Sequence, residues 1–385
     1  MDFFKSSSRL LFPILALALL LSIVFDYGAT AQGAPDEPNV GTSATLYYEA
    51  DNGATDQSVR RASSADPGVD VPLGGTNEPA IVVNPRNPLN VVMASLFSLR
   101  VSTDNGATFT AATAAVVPGT HGRCGDPSLG FDSQGRLFWT YLGCVFDGGG
   151  NVTGIDIFIA QVNPTTGAII AGYPVNVTAS AGISLPATGG FSHDKEWLAV
   201  DRFSGSPFQD RLYIVWTQFP GGGAVGTNVR ATFSSDQGNT WSAPLTLSAA
   251  AEGFQWPSHN AVARNGDVYV TYHSQPTFAG NAPNGTSGQA FVLRSIDGGV
   301  SYPQKTAAYT GGNADITFNV QTAGTARRLN QSATWTQGSA QPWVLPDQTD
   351  SNNVYLVVAD DPTNASHGGA FNDMDVFISR STDQG

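Results

Sequence analysis

From residue 79 onward, short apolar runs alternate with polar turns. The recurring stretches are "AIVVNPRNPLNVVMASL", "SLGFDSQGRLFWTYL", "EWLAVDRFSGSPFQDRLYIVWTQ", "NAVARNGDVYVTYHS" and "WVLPDQTDSNNVYLVVADD". Each reads as a strand, a turn rich in Asn, Asp, Gly and Pro, and a second strand. A third strand then enters a turn and a fourth leaves it. That turn is spelled "VSTDNGATFT", "SSDQGNTW", "SIDGGVSY" and "STDQG", and a decayed copy, "VNPTTGAII", has Thr165 and Gly167 in the Asp and Gly positions. Units of four strands repeated along the chain predict an all-β fold, a β-propeller of four-stranded blades over residues 76–385.

The turn residues explain themselves chemically. An Asp carboxylate accepts hydrogen bonds from the backbone N–H groups that follow it, and Gly takes a conformation closed to residues with a Cβ. Asp104 and Gly106, Asp236 and Gly238, Asp297 and Gly299, and Asp383 and Gly385 are therefore expected to be structural. The aromatic that follows (Phe109, Trp241 or Tyr302) folds back over the hairpin. The second strands carry paired aromatics in register, Phe138 and Tyr141, Tyr213 and Trp216, Tyr269 and Tyr272. A feature repeated in every blade belongs to packing.

Ser-x-Asp-x-Gly-x-Ser/Thr-aromatic resembles the Asp-box, or bacterial neuraminidase repeat, of sialidases and related β-propellers, over residues 78–385. The resemblance implies six blades. Five are legible, and the last box stops at Gly385 in mid-hairpin, so the chain reads as a fragment. In a sialidase-type glycoside hydrolase, arginines hold the sugar carboxylate, a Tyr activated by a Glu is the nucleophile, and an Asp is the acid/base. On this chain the resemblance offers Arg123 with Arg327 or Arg328 for the carboxylate, Asp126 or Asp194 as acid/base, and Glu196 as the base. The family's early Arg-Ile-Pro signature is absent. Asp-boxes also occur in xyloglucan hydrolases, sorting receptors and assembly factors.

Composition adds the setting. The chain has 385 residues, 41% hydrophobic and 13% charged, with 43 Gly, 23 Pro and a formal net charge of −13. Such acidity argues against nucleic acid and anionic membrane surfaces as partners. Lys5 and Arg9 precede an apolar run, Leu10 to Phe25, and small residues at Ala29 and Ala31. Residues 1–31 therefore read as a secretory signal peptide, with a retained anchor as the alternative. Residues 32–75 read as a polar leader, with a closing strand near 43–51. Export to an oxidising compartment makes Cys124 and Cys144 a disulfide.

In a propeller the connections into successive inner strands gather around the axis on one face, opposite the Asp-box turns. Those segments, "GGTNEPAIVV", "GTHGRCGDPSLG", "GGFSHDKEWLAV", "AEGFQWPSHNAV" and "TARRLNQSATWTQGSAQPWV", are dense in charged and aromatic residues. They bring Arg123, Asp126, His193, Asp194, Lys195, Glu196, Trp256 and His259 forward as one candidate pocket. Asp126, Asp194 and Glu196 are the catalytic candidates, and Arg123, His193, Trp256 and His259 the substrate-binding ones. The bland alternatives are turn caps, local ion pairs and satisfied core histidines. Strand alternation allows at most two of Asp194, Lys195 and Glu196 to face the channel. An open cleft shared by Asp126 and Glu196 is the expected arrangement.

No cofactor is required by this reading. Calcium is a candidate ligand at Asp347–Asn353 and Asn372–Asp375, where turn residues explain the same sequences. Asn151, Asn176, Asn284, Asn330 and Asn364 lie in Asn-x-Ser/Thr sequons. The expected protein is a secreted or cell-envelope monomer that hydrolyses sialylated or related glycans. A non-catalytic propeller holding a glycan or a cell-surface protein is the alternative.

Overall fold

The structure, a computed structural model, describes residues 78–183, 192–219, 227–275, 278–279, 282–283, 289–310, 341–360 and 375–385. The expected leader, the strand near 43–51, Arg327, Arg328, three sequons (Asn284, Asn330, Asn364) and Asn372 lie outside these residues. The described strands form a five-bladed β-propeller of antiparallel sheets. Blade one comprises β1 (Pro79–Asn84), β2 (Asn87–Ser95), β3 (Ser98–Ser102) and β4 (Thr113–Ala114). Blade two comprises β5 (His121–Phe131), β6 (Leu137–Phe146), β7 (Val152–Val162) and β8 (Val175–Asn176). Blade three comprises β9 (His193–Val200), β10 (Leu212–Gln218), β11 (Asn228–Ser234) and β12 (Leu245–Thr246). Blade four comprises β13 (Phe254–Val262), β14 (Val268–Gln275), β17 (Gln289–Ser295) and β18 (Gln304–Thr310), with a small hairpin of β15 (Phe278–Ala279) and β16 (Ala282–Pro283) between the middle strands. The fifth sheet shows β19 (Trp343–Pro346), β20 (Val354–Asp360) and β21 (Asp375–Ser381).

Each second strand is apolar almost without interruption because both its faces are covered. On β6, Leu137, Trp139 and Tyr141 pack against blade one, while Phe138, Leu142 and Cys144 pack against blade three. The same division places Trp216 between blades two and three, and Tyr272 between three and four. All six aromatics read as packing residues are buried.

The Ser-x-Asp-x-Gly turns lie where each third strand ends, opposite the ends at which the inner strands begin. Ser102 Oγ donates to Asp104 Oδ1 (2.7 Å) and accepts from Gly106 N (2.8 Å), while Thr108 donates its N–H and hydroxyl to the two carboxylate oxygens of Asp104 (2.8 and 2.6 Å). The bonds from Thr108 and then Ser102 draw the Asp104 carboxyl down to about 2. The same bonds recur around Asp236 and Asp297. At the decayed copy, Asn163 Oδ1 takes the N–H groups of Thr165 and Thr166 (2.9 and 3.0 Å).

These turns also join blades. The turn glycines have φ near +85°, and a Cβ on Gly238, Gly299 or Gly385 would meet Ile159, Tyr213 or Tyr269 of the preceding blade within 3.1–3.5 Å. Tyr173 Oη donates to Gln237 O (2.6 Å), Arg211 Nη1 to Gly298 O (2.7 Å), and Thr306 Oγ1 to Gly385 O (2.8 Å), again from the preceding blade. The repeat is thus a hairpin staple and an inter-blade latch.

Candidate functional site at the axial face

Strands β1, β5, β9, β13 and β19 are innermost and lie side by side in that order. Three of them are bulged near the end where they begin. The register shifts at Arg123–Ser128 in β5, opposite Val215–Thr217 in β9, and at Gln255–Ser258 in β13. Bulges re-aim side chains, and here they gather charge. Lys195 Nζ donates to Asp126 Oδ1 and to Glu78 Oε1 (3.3 Å), while Glu78 Oε2 accepts the N–H of Asp126 (3.0 Å). Asp194 lies beside Asp126, close enough for the two carboxyls to act on each other. Asp194 Oδ2 also accepts from Trp256 Nε1 (3.0 Å).

Glu78, Asp126 and Lys195 all have positive φ (53°, 51° and 54°). A left-handed backbone at non-glycine residues is unfavourable and is held only where the surroundings demand it. Gly125 next door is required by space, since a Cβ there would stand 2.7 Å from Glu78 Oε2.

The carboxyls are pushed in opposite directions. Burial raises Asp126, but the charge and bonds of Lys195 outweigh it and hold Asp126 below the usual carboxylate range. Burial and then the Asp126 charge push Asp194 well above that range. Burial, followed by Asp126, also raises Glu78 and drives Glu196 well upward. Burial alone would lower Lys195, yet Asp126, Glu78 and Asp194 raise it. The cluster therefore sets a carboxylate held low and a lysine cation beside a carboxyl pushed well up.

Sequence reasoning brought forward Asp126, Asp194, Lys195 and Trp256, and these four do converge. Glu196 is set back, only 2% exposed, and neither of its oxygens has a hydrogen-bond partner among the described residues. The expected open cleft shared with Asp126 is corrected accordingly. The bulge at Lys195 breaks the alternation, so Asp194 and Lys195 both meet Asp126 while Glu196 turns inward. Arg123 stands apart, exposed, with Nε donating to Ala115 O (2.5 Å). His193 is fully buried, and its Nδ1 accepts from Trp216 Nε1 (2.9 Å). Burial lowers His193 to about 4, against the pull of Asp156.

His259 packs between Trp197 and Trp343, with ring centroids 5.0 and 4.6 Å away, and burial lowers it to about 3. Glu78 was the residue that sequence reasoning missed. Its signal was an acid followed by Pro at the start of an inner strand, "NEPAIVV" in blade one and "GDPSLGF" in blade two.

Cys124 and Cys144 form a disulfide between β5 and β6. Among the described residues, no group of three or more His, Cys, Asp or Glu is arranged to hold a metal ion, and no helix is long and apolar enough to cross a membrane. In the loop Asp347–Asn353 the carboxylates of Asp347 and Asp350 are taken up by Thr349, Asn352 and Asn353 of the same turn.

No protein-family model matches the chain, and no curated protein matches it in sequence. Among solved structures, it is similar to a protein of unknown function from Dyadobacter fermentans (15% identity, TM-score 0.42), covering 80% of this chain and 94% of that one. It is also similar to the Hadza microbial sialidase Hz136 (15% identity, TM-score 0.43), covering 77% of this chain and 53% of that one. A third similar structure is an alpha-L-arabinofuranosidase from Lactobacillus brevis (12% identity, TM-score 0.40), covering 79% and 90%. The propeller is read from the structure itself, and likenesses of this order add nothing about the chemistry of the axial cluster.

Proposed function

We propose that the protein is a glycan-acting propeller of the glycoside hydrolase kind, and that the sugar is taken at the axial face beside Asp194. The observation that carries this reading is the cluster in which Lys195 bonds Asp126 and Trp256 bonds Asp194, with Asp126 held low and its neighbour Asp194 pushed well up. Paired groups whose surroundings push their protonation apart are the mark of acid/base work. Asp194 would give its proton to the glycosidic oxygen as its bond to the anomeric carbon breaks, the charge of Asp126 would favour the cationic sugar that develops, and a water would then add to that carbon and return a proton to Asp194.

The ligand that fits is a neutral glycan. Lys195 supplies the positive charge of the cluster and is already bonded to Glu78 and Asp126. A sialic acid carboxylate would meet carboxyls there, and Arg123 is engaged at Ala115. In the same proposal residues 1–31 are an export signal and the mature monomer works outside the cytoplasm. The Cys124–Cys144 disulfide supports that setting.

One observation favours glycan binding without cleavage. The two carboxyls of a glycosidase stand about 5–9.5 Å apart, whereas Asp126 and Asp194 are close neighbours in one cluster, an arrangement unlike a pair set across a bond. The test is a panel of nitrophenyl glycosides of neutral pentoses and hexoses beside a sialoside. Hydrolysis of a neutral member is expected, reduced about 10²–10⁴-fold in Asp194→Asn, with the sialoside left intact. A neutral glycan bound without turnover would establish the binding reading, and cleavage of the sialoside alone would overturn the neutral one.

A further inference from the structure

Two neighbouring carboxylates oppose each other's ionisation, which favours one shared proton for Asp126 and Asp194. Where that proton rests depends on the donors each receives. Asp126 Oδ1 receives the ammonium of Lys195, and Asp194 Oδ2 receives the neutral indole N–H of Trp256 at 3.0 Å. A charged donor favours a carboxylate more than a neutral one does.

Lys195 is fixed from its far side by Glu78 Oε1 at 3.3 Å, and Glu78 is in turn tied to the backbone of Asp126 at 3.0 Å. All three residues of this loop of contacts have left-handed backbones. An ordinary ion pair does not need three such residues brought from three blades. The arrangement defines where the ammonium stands.

We propose that Lys195 is a positioning residue of the axial site: its ammonium, locked between Glu78 and Asp126, keeps Asp126 charged and leaves the shared proton on Asp194, facing a sugar. This rests on the reading of Asp194 as the proton donor. The groups that face the pair are Glu78 from the start of β1, Lys195 and Glu196 from β9, and Trp256 from β13. Removing the ammonium takes from Asp126 its charged donor and leaves it the neutral side chain of Glu78, as Asp194 has the indole of Trp256. The Asp126 carboxyl should then hold a proton to higher pH.

The experiment is a pH titration of the full chain, without substrate, by NMR of carboxyl-labelled aspartate, with Asp126→Asn and Asp194→Asn to assign the signals. In the wild type the carboxyl that titrates late should be Asp194. In Lys195→Met the Asp126 titration should move up by about one pH unit or more, and Lys195→Arg should restore it. A folded Lys195→Met in which Asp126 titrates as in the wild type would overturn the proposal.

Should Lys195→Met not fold, Trp256→Phe reads the same competition. Loss of the indole donor should shift Asp194 upward and leave Asp126 in place, and an unmoved Asp194 would count against the proposal. Because no sugar enters the measurement, an absent glycosidase activity with the Asp126 shift present would refute the catalytic reading alone.

Discussion

Trp216→Ala is expected to lower the free energy of unfolding by about 3–5 kcal/mol, the range for removing a fully buried large aromatic. Trp216 is 0% exposed and sits in the cluster that joins blades two and three, with Phe138, Ile157, Leu198 and Ile214. Its indole also donates to Nδ1 of His193, which lies edge-on to it with ring centroids 6.0 Å apart. Alanine would open a cavity between two blades and leave a buried histidine nitrogen without its donor, which adds to the lost packing. Urea denaturation followed by circular dichroism measures it. A loss under about 1 kcal/mol would mean that the blade interface can collapse around the gap, contrary to the close packing described.

Acidification should unfold the wild type more steeply than His259→Gln. Burial holds His259 at about 3, against its ordinary value of 6.5. The unfolded chain therefore binds this proton first as pH falls. The stability is present above pH 6.5 and is lost as pH drops towards 3. At about 1.4 kcal/mol for each tenfold change in proton concentration, the difference in slope should amount to about 3 kcal/mol between pH 6.5 and pH 4. Asp194, Glu196 and Asp201, all raised in the fold, slope the other way but do so in both proteins and cancel in the comparison. Denaturation midpoints of the two proteins, taken at several pH values, check this. Parallel lines would show that His259 is charged, or hydrated, between Trp197 and Trp343.

The fold was legible because its signals are local. Ser102, Asp104, Gly106 and Thr108 bond to one another within seven residues, so the turn is written where it acts. The buried second strands announce themselves as unbroken apolar runs. The latch function was not legible, because Tyr173, Arg211 and Thr306 reach those turns from other blades. The axial cluster was legible only in part. Topology alone carries the starts of the inner strands to one end, and that brought Asp126, Asp194 and Trp256 together.

Which way each side chain turns there is set by the bulges. A bulge is a matter of pairing register, invisible in a single strand's alternation. That is why Glu196, read as an open base, is buried. His193 and His259 illustrate the same limit. Both lie on inner strands as expected, but both are buried, His193 edge-on to Trp216 and His259 between Trp197 and Trp343.

The most direct test of the central claim is a crystal structure of the protein with the neutral glycan that the glycoside panel, or a glycan array, selects. The account predicts a sugar ring at the axial face, with a sugar oxygen within hydrogen-bond distance of Asp194 and with Lys195 still between Glu78 and Asp126. A glycan seated on the face of the Ser-x-Asp-x-Gly turns, or along the outer strands with the carboxyl cluster untouched, would contradict it.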